Sequence, residues 1–128
     1  MKLGLDFHGV IDAAPVFFSW LSKKMVEDGH EVHIITGHEL TSAFLKKLHN
    51  FGIRYTHIFS ISDFQKEQGN EIWYDEKGTP WMDEELWNRS KATYCEKEGI
   101  DFHFDDSEKY CKYFTTAYFL FSQRAKAC

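Results

Sequence analysis

The chain has no long apolar run, no basic block, no paired cysteines and only two prolines, and these absences narrow what it can be. No stretch of about 18 apolar residues occurs in its 128 residues, so no membrane-spanning helix is expected. The first residues lack a basic segment followed by an apolar run, because Asp6 and His8 interrupt them. A secretory leader is therefore not expected, and a cytoplasmic location is. Cys95, Cys111 and Cys128 are an odd number without a Cys-x-x-Cys pair. They read as free thiols in a reducing compartment. A net charge of −5 without a Lys/Arg block argues against a nucleic-acid backbone as main partner. One or two local cations would still suffice for a small phosphorylated substrate. There is no internal repeat or low-complexity segment, and the length fits one domain, 1–128, able to bury a core.

What is present is organised around Leu3-Gly4-Leu5-Asp6-Phe7-His8-Gly9-Val10-Ile11-Asp12. Leu3, Leu5 and Phe7 read as a buried strand that stops at a site. With side chains alternating along a strand, Asp6 and His8 are expected on one side where the chain leaves the sheet, and Gly9 permits a sharp turn. Pro15 suits an early helical position, and Phe17, Trp20, Leu21 and Met25 recur at helical spacing up to Asp28-Gly29. Those aromatics are expected to face the core. Glu31 to Thr36-Gly37 reads as a second strand, Leu40 to Phe51 as a helix stopped by Gly52, and Tyr55 to Ile61 as a third strand.

Strand, helix and strand in such short succession imply parallel βαβ units with right-handed crossovers, which sets Thr36 beside Asp6. From 62 to 82 the pattern loosens into a short helix and a hairpin or irregular excursion, either a small lid or a surface loop pinned by Trp73, Tyr74 and Trp81. A helix follows from Asp83 to Glu98, stopped by Gly99. Ile100, Phe102 and Phe104 are expected on one face of a strand that delivers Asp105-Asp106-Ser107. A helix over Glu108–Thr116, a strand over Ala117–Phe121 and a polar, fraying tail over 122–128 complete the reading. The fold expected is α/β: one Rossmann-like three-layer domain with a mainly parallel five-stranded sheet.

Asp6/His8, Thr36 and Asp105/Asp106 thus end three strands, and ligands of open α/β sheets bind outside the carboxyl ends of strands. If Asp6, Asp105 and Asp106 meet, two carboxylates about 4 Å apart repel by roughly 4 kcal/mol at an effective dielectric of about 20. A divalent cation removes that repulsion, and an all-oxygen donor set suits Mg²⁺, so a Mg²⁺ site is expected. Asp12 reads as a helix cap or first-turn acid. His30, His33, His38, His49, His57 and His103 show no metal-ligand spacing, and His38 reads as a surface residue despite following Thr36-Gly37 closely.

Asp6-Phe7-His8-Gly9-Val10 resembles the first motif of the haloacid dehalogenase (HAD) superfamily, Asp-x-Asp-Gly-Thr/Val, with His8 in place of the second aspartate. Ile34-Ile35-Thr36-Gly37 resembles the second motif and Phe104-Asp105-Asp106-Ser107 the fourth. The third is a lysine, matched by Lys91 in Arg89-Ser90-Lys91-Ala92, with Lys77 as the alternative. The resemblance implies a phosphatase in which Asp6 is the nucleophile and a Mg²⁺ ligand with Asp105, Asp106 and the His8 backbone carbonyl. Thr36, Gly37 and Lys91 would bind the phosphoryl group. His8 would take over acid–base work, which imidazole can do near neutrality, or would leave a slow or inactive domain that only binds metal and phosphate. With little or no cap expected, the resemblance implies a large phosphorylated substrate or a partner that completes the pocket, or a small phosphomonoester if the 62–82 segment folds over. A phospho-acceptor receiver domain is the last reading, because its acceptor aspartate sits on a middle strand.

Overall fold

The computed structural model describes residues 1–121; Cys128 and the tail expected to fray lie outside them. Five parallel strands form the sheet: β1 (Lys2–Leu5), β2 (Glu31–Thr36), β3 (His57–Ser60), β6 (Phe102–Asp105) and β7 (Ala117–Leu120). Their spatial order is β3-β2-β1-β6-β7. The chain moves outward from β1 to β3, then crosses back to β6 on the other side of β1. That reversal between β1 and β6 is the switch point of a Rossmann-like sheet, where strand ends diverge and a crevice opens. A receiver domain would place its first strand second in the sheet and has a different order.

Each helix has a local reason to start or stop. Pro15 opens α1 (Pro15–Glu27), where a missing N–H does no harm. The Thr41 side chain accepts from Phe44 N to cap α2 (Ser42–Asn50). Ser60 accepts from Asp63 N and starts α3 (Ile61–Glu67), so the third strand is shorter than the apolar run through Ile61 suggests. Asp83 caps α4 (Glu84–Glu98), and Gly99 ends it in the left-handed conformation at φ 69°. Between α3 and α4 a two-stranded hairpin, β4 (Trp73–Tyr74) and β5 (Pro80–Trp81), stacks Trp73 on Trp81 at 5.9 Å. The last helix, α5 (Glu108–Cys111), is much shorter than Glu108–Thr116, because turns at Tyr113 and Phe114 return the chain to the sheet edge.

The two faces of the sheet differ in chemistry. Leu3, Leu5, Val32 and Ile34 pack with Phe18 of α1 and with Phe44 and Leu48 of α2 into the main core. The α4 face carries a smaller cluster of Ile35, Cys95 and Ile100 beside buried His33, His103 and Asp105. Two expectations are corrected here. On α1 it is Phe18 that is buried, whereas Phe17 and Trp20 are exposed, because the sheet covers only the stripe centred on Phe18. Ile100 does not share a face with Phe102 and Phe104; it precedes β6 and packs with Ile35 and Cys95. Among the described residues, no helix is long and apolar enough to cross a membrane.

Candidate active site

The site grows from the carboxyl ends of β1 and β6. β1 ends at Leu5, so Asp6 is the first residue beyond its ladder, held by its own N–H donating to Phe104 O at 3.0 Å. The chain then turns at once. His8 is extended (φ −69°, ψ 129°) and Gly9 has φ 76°, a conformation favoured by glycine. A Cβ on Gly9 would also lie 2.0 Å from Asp106 Oδ2. Only a bare backbone lets the β1 turn and the β6 turn approach this closely.

Asp6, Asp105 and Asp106 converge there, each with a carboxylate oxygen within 4.8 Å of the others. Lys91 reaches them from α4, its Nζ 2.9 Å from Asp6 Oδ1 and donating to Asp105 Oδ2 at 2.7 Å. It is buried and lies 5.1 Å from the Tyr110 ring centroid. Lys77, the alternative lysine, is exposed in the β4–β5 turn at the cavity mouth. Thr36 ends β2 fully buried, its Oγ1 accepting from His38 N at 3.2 Å. Gly37 follows; a Cβ there would meet the Trp87 indole at 2.8 Å. The loop after β2 is pinned from α3, since Ser62 Oγ donates to Gly37 O at 2.5 Å and Asp63 accepts from Leu40 N.

One ammonium cannot satisfy three carboxylates. Burial opposes ionisation of Asp105, but Lys91 and a hydrogen bond from His103 outweigh it and hold its carboxyl below the ordinary range. His103 Nε2 donates to Asp105 Oδ2 at 2.9 Å from the same strand, in a space that Gly4 provides by lacking a Cβ. Asp6 bears the penalty: burial above all, then the neighbouring Asp105 and Asp106, raise its carboxyl despite Lys91. Burial pulls the Lys91 ammonium down, yet Asp6 and Asp105 overcome it and keep it charged. Asp6, Asp105 and Asp106 form an all-oxygen donor set that could hold a hard divalent cation.

His8 lines the same cavity as Asp6 but from an exposed position, whereas Asp6 is buried. The His8 side chain is 59% exposed, and its Nδ1 lies 3.0 Å from Asp12 Oδ2, while Gly9 N donates to Asp12 Oδ1 at 2.7 Å. Asp12 therefore folds back on the turn and orients His8; it does not cap α1, whose N-cap is Ala14. His38, read from sequence as a surface residue, is exposed and sets its ring 4.4 Å from that of His8 at a tilted 55°. A cavity of about 400 Å³ connects these groups, with Trp87, Tyr110 and the hairpin's Lys77–Pro80 as its other walls. A second hollow of about 350 Å³ lies beyond His8 and His38, lined by Phe7, Phe44 and Lys47. Sequence pattern does not mark His103, Trp87 or Tyr110 as site residues; it marks Asp12 as a cap beside the site and His38 as a surface residue close to Thr36-Gly37, and His38 is exposed.

Compared with models of known protein families, with curated proteins and with solved structures, the chain matches none.

Proposed function

We propose that the chain is a Mg²⁺-dependent phosphomonoester hydrolase of HAD type, working in the cytoplasm through an aspartyl-phosphate on Asp6. The observation that carries this reading is the meeting of Asp6, Asp105, Asp106 and Lys91 at the switch point of the sheet, beside Thr36. A metal held by the three aspartates would neutralise charge on the phosphoryl group, and the resemblance adds the His8 carbonyl to its ligands.

The chain's own groups supply the rest. A carboxylate oxygen of Asp6 attacks phosphorus, forming a new O–P bond as the bond to the leaving oxygen breaks. The leaving oxygen takes a proton from His8, held in position by Asp12. Lys91, Thr36 and the Gly37 backbone face the phosphoryl oxygens. A water then gives its proton to His8 and attacks phosphorus, which breaks the bond to Asp6 and releases inorganic phosphate. Cavities of about 400 and 350 Å³ on either side of His8 support a small phosphomonoester whose leaving group extends past His38.

The test is release of phosphate from a panel of small phosphomonoesters, with and without Mg²⁺, by wild type and Asp6→Asn. Metal-dependent turnover lost in Asp6→Asn, with unchanged circular dichroism, is expected; unchanged turnover in that variant removes the assignment. The exposure of His8 favours a second reading, a domain that binds metal and phosphate without turnover. Under it, Mg²⁺ raises the melting temperature and no substrate is cleaved.

A further inference from the structure

Toward the amino ends of β2 and β3, away from the strand ends that carry the acidic site, a second group of donors converges. Glu31 and His33 lie two residues apart on β2 and so share the α4 face, and His57 of β3 is the register partner of His33. His33 Nε2 stands 2.8 Å and His57 Nδ1 3.6 Å from the same oxygen, Glu31 Oε1. All three donor atoms lie within 4.8 Å of one another. We propose that Glu31, His33 and His57 form a binding site for a borderline divalent cation of the zinc class at the amino ends of β2 and β3.

The donor chemistry selects the ion. Two imidazoles and one carboxylate suit Zn²⁺, Co²⁺ or Ni²⁺, whereas Mg²⁺ wants oxygens only. Tetrahedral Zn²⁺ with ligands at about 2.0–2.1 Å sets donor atoms about 3.3 Å apart, and 2.8 and 3.6 Å bracket that spacing. The site would keep one position open for water. Glu31 Oε2 faces Lys2 Nζ at 3.9 Å, which leaves Oε1 for the metal.

His33 is prepared for this role. Its ring is fully buried, and its Nδ1 lies 2.7 Å from the Tyr94 hydroxyl of α4. A tyrosine hydroxyl can donate or accept. Without metal, His33 Nε2–H donates to Glu31 and Nδ1 accepts from Tyr94. With metal, the proton moves to Nδ1, which donates to Tyr94 and frees the Nε2 lone pair, so the imidazole stays neutral and no proton is lost. Such a partner on the other ring nitrogen fixes the tautomer and orientation of a ligating histidine. The movable ligand is His57. Its ring stacks parallel on His33 at 4.2 Å, but its side chain is 48% exposed on an edge strand and can turn its nitrogen toward the ion.

Nothing in the sequence spacing shows this site, because 24 residues separate His33 from His57 and only the β2–β3 register joins them. His33 lies three residues before Thr36, about 10 Å along the strand from the acidic site. The two sites are therefore separable by experiment.

The test is Zn²⁺ binding by the full chain without a polyhistidine tag, measured by competition with a chromophoric chelator in excess Mg²⁺. Wild type is expected to take up one Zn²⁺ at these residues, His57→Ala and Glu31→Gln to bind at least tenfold more weakly, and Tyr94→Phe about tenfold more weakly. Cys111→Ser and Asp106→Asn are expected to keep the affinity, which separates this site from the thiols and the acidic cluster. His57 is exposed, so His57→Ala retains the fold and circular dichroism verifies it. No stoichiometric Zn²⁺ in wild type, or equal affinity in wild type and His57→Ala, overturns the proposal.

Discussion

Gly9 and Lys91 show how single residues set the character of the site. At φ 76°, any side chain on Gly9 is strained by about 1 kcal/mol or more, and its Cβ would displace Asp106. If the three aspartates hold Mg²⁺ as proposed, Gly9→Ala is expected to weaken that binding far more than its modest loss of stability would suggest; calorimetric titration beside a urea melt separates the two. Lys91 is the only cation in contact with Asp6 and Asp105 among the described residues. Removing one partner from a buried charge cluster costs about 3–5 kcal/mol. Lys91→Met should lose that much in metal-free buffer and regain part of it when Mg²⁺ is added. A loss below about 1 kcal/mol would mean that the aspartates are not held as buried charges.

At the scale of elements, α4 does most to define the second face of the sheet. One helix presents Lys91 to the acidic site, Cys95 to the small core, Tyr94 to His33 and Trp87 to Gly37. Its burial has a consequence at alkaline pH. Burial above all raises the Cys95 thiol from 9.0 to about 12, and likewise raises the Tyr94 phenol from 10.0 to about 12. Folded values above unfolded ones give a contribution that is complete below about pH 9 and is lost as pH climbs toward 12. Thermal melts should thus show stability falling between about pH 9 and 12, with a shallower fall in Cys95→Ala; parallel slopes in the two proteins would remove Cys95 from the explanation. The β4–β5 hairpin is a different kind of element. Its indoles, exposed by 63% for Trp73 and 49% for Trp81, stabilise little of the body, while its turn walls the cavity.

For the molecule as a whole, the excess of carboxylates in a buried crevice is stability given up for charge density. Domains keep only about 5–15 kcal/mol of net stability, so a ligand that cancels this repulsion should be felt globally. If the acidic crevice holds Mg²⁺ as proposed, the ion at about 100 times its dissociation constant adds roughly 2.7 kcal/mol. For a domain of this size that is a rise in melting temperature on the order of 10 °C. Calorimetry with and without Mg²⁺ reads it directly, and the rise should be absent in Asp106→Asn; an equal rise in that variant would place the ion elsewhere.

The α/β class, the succession of elements and the strand-end placement of Asp6, Thr36 and Asp105 were legible in the sequence. They follow from local rules: β-branched runs between Gly and Pro stops, helical spacing of apolar residues, and short crossovers that force parallel strands. What lay beyond those rules was decided in three dimensions. Periodicity marked Phe17 and Trp20 as core, but only the position of the sheet against α1 showed that Phe18 is the buried one. A period of two placed Ile100 with Phe102 and Phe104, although β6 begins after it. Local sequence marks Asp12 as a helix cap but does not say which way its carboxylate turns. The partnership of His8 with His38, of Lys91 with two aspartates at once, and of His33 with His57 across the strand register depends on residues brought together from separate elements. Local propensity lives within a few residues and can be read from them; contacts among distant ones exist only once the chain has closed its sheet.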